Sequence, residues 1–150
     1  MGRWSRAEIE EAFGTYQEAA RRAGATGDWN PWADLFTEDA TYLEAHYGRF
    51  EGREAIREWI TSTMAEYPNC EMTGFPIDWY VIDEDEGRVV CRVWNRMQDP
   101  GDGSVHQEAN LTVLQYAGSG MWSHEEDQYN PANFAPMIRG YLDRRRELAA

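Results

Sequence analysis

A chain of 150 residues with 42% apolar content and seven tryptophans holds enough hydrophobic material for one packed domain, 1–150, and is not a disordered composition. Twenty-seven acidic residues against 14 basic ones leave a net charge of −13, which repels phosphate backbones and anionic lipid and so argues against nucleic acid and membrane partners. No apolar run approaches the ~20 residues of a spanning helix, and MGRWSRAEIEEAF lacks the apolar centre of a secretory signal. A cytoplasmic protein with Cys70 and Cys91 reduced is the expectation.

In chain order, WSRAEI opens a helix. Ser5 is placed to accept from the amide of Glu8, Glu8 to reach back to Ser5, and Trp4 and Ile9 flank this capping box as a hydrophobic staple. Ile9, Ala12, Phe13, Tyr16, Ala19, Ala20 and Ala23 recur at helical spacing, and Gly24 and Gly27 end the helix. DWNPWADLF reads as a short second helix with Pro31 in its first turn. ATYLEAHYG, residues 40–48, is the first strand. GREAIREWITSTMAEYP is a third amphipathic helix with Ala55, Ile56, Trp59, Ile60 and Met64 inward, stopped by Pro68.

From residue 71 the apolar period changes to two. EMTGFPIDWYVI, RVVCRVWNRM, SVHQEANLTVLQY and MWSHEEDQY read as four strands separated by DEDEG, DPGDG and AGSG, which are turn compositions that predict antiparallel hairpins. Pro76 marks a bulge or an edge. NPANFAPMIRGYLDRRREL closes the chain as a short helix interrupted near Pro136 and Gly140. Helices segregated from antiparallel strands give an α+β class. A long twisted sheet curling round helices leaves a cone-shaped space suited to a small-molecule pocket.

Splitting the strands by alternation gives each an apolar and a polar row. Tyr42, Glu44 and His46 share one face of the first strand. Arg92, Trp94 and Arg96 oppose Val89, Cys91 and Val93; His106, Glu108, Asn110 and Thr112 oppose Ala109, Leu111 and Val113; Ser123, Glu125 and Asp127 oppose Trp122, His124 and Glu126. Periodicity leaves open whether the polar rows face water or a cavity. In the second case, buried carboxylates near Arg92 would have the shifted proton affinities that acid–base chemistry uses. His46, His106 and His124 show no metal-ligand spacing, and there is no phosphate-cradling glycine loop or nucleophile elbow, so neither metal nor cofactor is expected.

GDWNPWADLFTEDATYLE followed by GREAIREWI, then DPGDGSVHQEANLTVLQYAGSG and EEDQYNP, resembles the SnoaL-like family of the nuclear transport factor 2-like superfamily over residues 8–143. The resemblance implies a cone-shaped α+β barrel: three N-terminal helices in a curved antiparallel or mixed sheet, and a short C-terminal helix. It also implies a homodimer through the outer sheet face. The superfamily includes polyketide cyclases, ketosteroid isomerase, scytalone dehydratase, limonene epoxide hydrolase and non-catalytic binding modules. The proton-shuttling Asp of the isomerases, three residues after the DAT landmark, falls on Glu44. The Tyr and Asn of the epoxide hydrolases, counted back from GRE, fall on Tyr42 and Glu44. Both counts turn this face inward.

The Arg of the hydrolase relay falls on Arg92 and its last Asp on Asp127, while Trp94 replaces the middle Asp and breaks that relay. The oxyanion-hole Asp of the isomerase falls near Thr112, and Tyr16 is the candidate for its helical Tyr. The expected catalytic set is therefore Glu44 as base, Arg92 and Tyr42 holding oxygen, and Asp127 positioning Arg92 or water. Tyr16, Trp29, His46, Trp94, Glu108, Asn110 and Thr112 are expected to contact a small hydrophobic molecule. The implied function is cofactor-free acid–base isomerisation, cyclisation or dehydration of a cyclic or polyketide-like substrate. A ligand-binding or dimerisation module without turnover, and water activation as in epoxide hydrolases, are the alternatives.

Overall fold

The computed structural model describes residues 2–150. Helix α1 (Arg6–Thr26) begins where Ser5 accepts from the Glu8 amide at 3.1 Å. The second half of the expected box is replaced: the Glu8 carboxylate accepts instead from the Tyr116 hydroxyl at 2.7 Å, tying the helix to the sheet. The helix ends at Gly27, whose φ of 80° is the left-handed cap that glycine adopts without strain. Gly24 lies inside the helix, where a Cβ would sit 2.1 Å from the Thr73 carbonyl oxygen, so its role is close approach to the sheet.

Helix α2 (Asn30–Ala33) is one turn long, because the chain leaves it for strand β1 (Phe36–Glu44), earlier than the sequence suggested. A turn at 45–47 leads to strand β2 (Gly48–Glu51), which the sequence did not suggest, and helix α3 (Arg53–Ala65) follows. Strands β3 (Met72–Gly74) and β4 (Ile77–Asp83) are separated at Pro76, which offers no amide to a ladder. Strands β5 (Arg88–Met97), β6 (Gln107–Gly118) and β7 (Met121–Gln128) form the long meander. Helix α4 (Phe134–Ala149) runs unbroken through both expected interruptions. Pro136 falls in its first turn, where the missing amide had no intrahelical partner, and a Cβ at Gly140 would meet only the His106 ring at 3.8 Å.

The strand order is β2-β1-β7-β6-β5-β3, with β4 also on β5. All pairings are antiparallel except β1 with β7, which is parallel and joins the β1–β2 hairpin to the long meander. The concave face packs against α1, α2 and α3 through Ile9, Phe13, Trp32, Phe36, Ile56, Leu114 and Trp122. On β5 and β6 the inward row is Val89, Cys91 and Val93 with Asn110, Thr112 and Leu114. The outer row carries Arg92 and Leu111, and Leu111 and Val81 are exposed. No helix among the described residues is long and apolar enough to cross a membrane.

Candidate functional site

Between the sheet and the helices lies a cavity of about 390 Å³. Its walls are Trp29, Trp32, Trp59, Ile60 and Phe75, with Phe134 of α4 closing one side. Trp29 stands edge-on to both Trp32 and Phe75, at 5.4 and 5.5 Å between ring centres, so these rings hold one another in place.

The floor is polar. Tyr16 of α1 donates its hydroxyl to Glu125 Oε1 at 2.6 Å. The Tyr42 hydroxyl lies 2.5 Å from Glu125 Oε2 and also contacts Asp127 Oδ2. Thr112 Oγ1 donates to Asp127 Oδ1 at 2.7 Å, Asn110 Nδ2 to Thr112 Oγ1 at 2.7 Å, and Asn95 Nδ2 to Asn110 Oδ1 at 2.7 Å. Tyr42 has one hydroxyl proton and faces two carboxyl oxygens. Two ionised carboxylates would leave one of those short contacts without a proton. One added proton on the pair supplies every contact with a donor.

Electrostatics agree with that count. Desolvation, then the nearby Asp127 charge, pushes the Glu125 carboxyl well above the usual carboxylate range. Burial also raises Asp127, while its interaction with Glu125 first, and then hydrogen bonds from Tyr42 and Thr112, pull it back. Burial first, then the two carboxylates, raises the Tyr16 phenol, and the same causes raise that of Tyr42, so both remain donors.

Glu44 lines the same cavity, with other partners. Its Oε1 accepts from the amides of His46 at 2.6 Å and Tyr47 at 3.1 Å, and Oε2 accepts from the Tyr129 hydroxyl at 2.6 Å. These bonds anchor the β1–β2 turn and the segment after β7. The cavity lining therefore holds three carboxyl groups and, among the described residues, no arginine or lysine.

The sequence profile of the SnoaL-like domain matches residues 4–118. The chain belongs to the SnoaL-like domain family. This SnoaL-like chain also superposes on solved structures at low identity, which is likeness of fold. A nuclear transport factor 2-like protein from Anabaena variabilis gives a TM-score of 0.64 at 18% identity, covering 87% of this chain and 95% of that one. The epoxide hydrolase/cyclase-like enzyme SalBIII, of pyran ring formation in the polyether salinomycin, gives 0.62 at 18% identity over 82% and 93%. A protein with a ketosteroid isomerase-like fold from Catenulispora acidiphila, in complex with trimethylamine, gives 0.61 at 21% identity over 77% and 85%. No curated protein matches the sequence.

Of the residues expected to form the site, the SnoaL-like fold brings Tyr16, Trp29, Tyr42, Glu44, His46, Asn110, Thr112 and Asp127 to the cavity. His46 reaches it from the turn after β1, not from the strand face. Three expectations are corrected. Arg92 points from the outer face of β5, pairs with Asp78 at 2.9 Å and stacks on Trp94 at 4.4 Å, so neither side chain lines the cavity. Glu108 lies at the open end of the inward row, and its backbone carbonyl alone enters the network, accepting from Asn95.

Glu125, Asn95 and Tyr129 were not among the expected site residues. Glu125 stands two residues before Asp127 on the same row, a usable signal. Asn95 stands two residues after Val93 on the inward row of β5, a signal of the same kind, whereas Tyr129 follows the end of β7, beyond the reach of strand alternation. The register shift in the β6–β7 ladder near Tyr116 turns both Trp122 and Glu125 inward although they are three residues apart.

Proposed function

We propose that this protein is a cofactor-free acid–base enzyme that isomerises, cyclises or dehydrates a neutral, hydrophobic, cyclic or polyketide-like molecule. The observation that carries this reading is the buried carboxyl pair, Glu125 and Asp127, sharing the single Tyr42 hydroxyl in an aromatic-walled cavity. Asp127 is the base that takes a proton from carbon next to a carbonyl, where a desolvated carboxylate is stronger than one in water. Once Asp127 is protonated it no longer needs the Tyr42 proton. The Tyr42 hydroxyl, still receiving from Glu125, then turns its own proton to the developing oxyanion. Return of the proton from Asp127 to another carbon completes an isomerisation or cyclisation, and its delivery to a departing hydroxyl completes a dehydration. A lining with three carboxyl groups and no lysine or arginine favours neutral over anionic ligands.

Epoxide-type water activation has less support, because Arg92 is engaged with Asp78 on the outer face. A second copy over that face, where Val81 and Leu111 are exposed, is our proposal for the assembly, checked by sedimentation.

The test is exchange of the protons next to the carbonyl of 2-tetralone in deuterated water, followed by proton NMR. The expected result is exchange about 100-fold or more above buffer, lost in Asp127→Asn. Binding of 2-tetralone with exchange at the buffer rate in the wild type would instead make the protein a binding module.

A further inference from the structure

The hydrogen-bond chain behind Asp127 has a direction, and one atom fixes it. Asn95 Nδ2 lies 3.2 Å from the backbone carbonyl oxygen of Glu108. A carbonyl oxygen only accepts, so the side-chain atom of Asn95 facing it is the nitrogen. That nitrogen carries two hydrogens, and the second goes to Asn110 Oδ1 at 2.7 Å. Asn110 is thereby oriented with its own nitrogen toward Thr112 Oγ1 at 2.7 Å. The Thr112 oxygen is then an acceptor from Asn110, and its single proton goes to Asp127 Oδ1 at 2.7 Å. No amide or hydroxyl in the chain is free to reverse without setting donor against donor or acceptor against acceptor. Asn110 and Thr112 are buried, which strengthens the hydrogen bonds between them.

We propose that Asn95, Asn110 and Thr112 are positioning residues that hold the Thr112 hydroxyl as a donor to Asp127 and thereby bias the proton of the pair toward Glu125. Asp127 accepts from Thr112 on one oxygen and from Tyr42 on the other, the arrangement that favours its ionised form. Glu125 has a matching donor in Tyr16 on Oε1, and its Oε2 shares the Tyr42 hydroxyl at 2.5 Å, so the balance of the pair turns on whether the Thr112 donor is kept. An asparagine on β5 that does not touch Asp127 thus orients the donor that does. The inference rests on the acid–base reading for its consequence in catalysis, while its physical content, the location of one proton, is measurable without any substrate.

The test is a carbon NMR titration of the side-chain carboxyl groups in protein labelled at Asp and Glu. In the wild type Glu125 keeps the acid-form shift at neutral pH while Asp127 shows the carboxylate shift. Thr112→Val moves the acid form toward Asp127 and raises the midpoint of Asp127 by about one pH unit. Thr112→Ser restores the wild-type pattern. Asn95→Ala, which touches neither carboxyl group, shifts Asp127 the same way by less, and serves where Thr112→Val fails to fold. An Asp127 titration unmoved in a folded Thr112→Val or Asn95→Ala variant overturns the proposal. If the proton moves as stated but the wild type exchanges no ketone proton, the hydrogen-bond direction stands and the catalytic reading falls. Exchange with an immobile proton gives the reverse.

Discussion

Tyr42 on β1 and Glu125 on β7 are register partners across the one parallel pairing of the sheet, and their side chains meet at 2.5 Å. The next inward pair along the same ladder is Glu44 with Asp127. These two carboxylates are neighbours in register and differ in partners. Glu44 is held by turn amides and Tyr129 at the rim, whereas Asp127 is held by Tyr42 and Thr112 at the floor.

The raised proton affinity of the Glu125–Asp127 pair makes stability depend on pH. Unfolded Asp and Glu titrate near pH 4 to 4.5, roughly, and the folded groups titrate higher. Between the two values the folded chain binds more protons than the unfolded chain, so stability is greatest below the unfolded value and falls as pH rises toward the folded one. The slope is about 1.4 kcal/mol per pH unit for each such group. Urea unfolding from pH 5 to pH 8 is expected to show wild-type stability falling relative to Glu125→Gln, with the curves converging at the acid end. A constant difference across this range would contradict the pair's raised affinity.

Glu44→Gln separates anchoring from proton transfer. It exchanges charge-assisted hydrogen bonds for neutral ones at the His46 and Tyr47 amides and the Tyr129 hydroxyl, at a cost of about 1–2 kcal/mol in urea unfolding. Ketone exchange is expected to fall by less than a factor of about ten, far less than in Asp127→Asn. Equal losses in the two variants would restore Glu44 as the base.

Arg92→Gln removes an exposed ion pair with Asp78 and a stack on Trp94. Each is a contribution of about 1 kcal/mol or less, so the denaturation midpoint is expected to move little and ketone binding not at all. A large loss of binding would return Arg92 to the cavity.

The two cysteines differ in reach. Cys91 is buried in the inward row of β5, and burial raises its thiol well above the ordinary range, whereas Cys70 is exposed. A thiol-specific colour reagent is expected to modify one cysteine in the native protein and two after denaturation. Two fast thiols in the native protein would contradict the placement of β5.

The helical stripe from Ile9 to Ala23, the change of period at residue 71 and the turn compositions were enough to predict the long elements and the α+β class, because each is a local signal; the short strand β2 and the continuity of α4 were missed. The parallel β1–β7 pairing has no local signature: it joins residues about eighty positions apart. Alternation predicted that Asn110 and Thr112 share a row with each other, and Glu125 with Asp127. It placed Trp122 opposite Glu125, because a register shift is invisible to a strict period of two. Arg92 was assigned inward by family correspondence, although its own alternation with the buried Cys91 and Val89 places it outside.

The central claim is that one proton resides on the Glu125–Asp127 pair at neutral pH. Infrared spectroscopy in the carbonyl-stretch region reads that proton directly, as a band of a protonated carboxyl group. The band is expected in the wild type at pH 7 and is expected to be absent in Glu125→Gln. A wild-type spectrum at pH 7 with no protonated carboxyl band would contradict it.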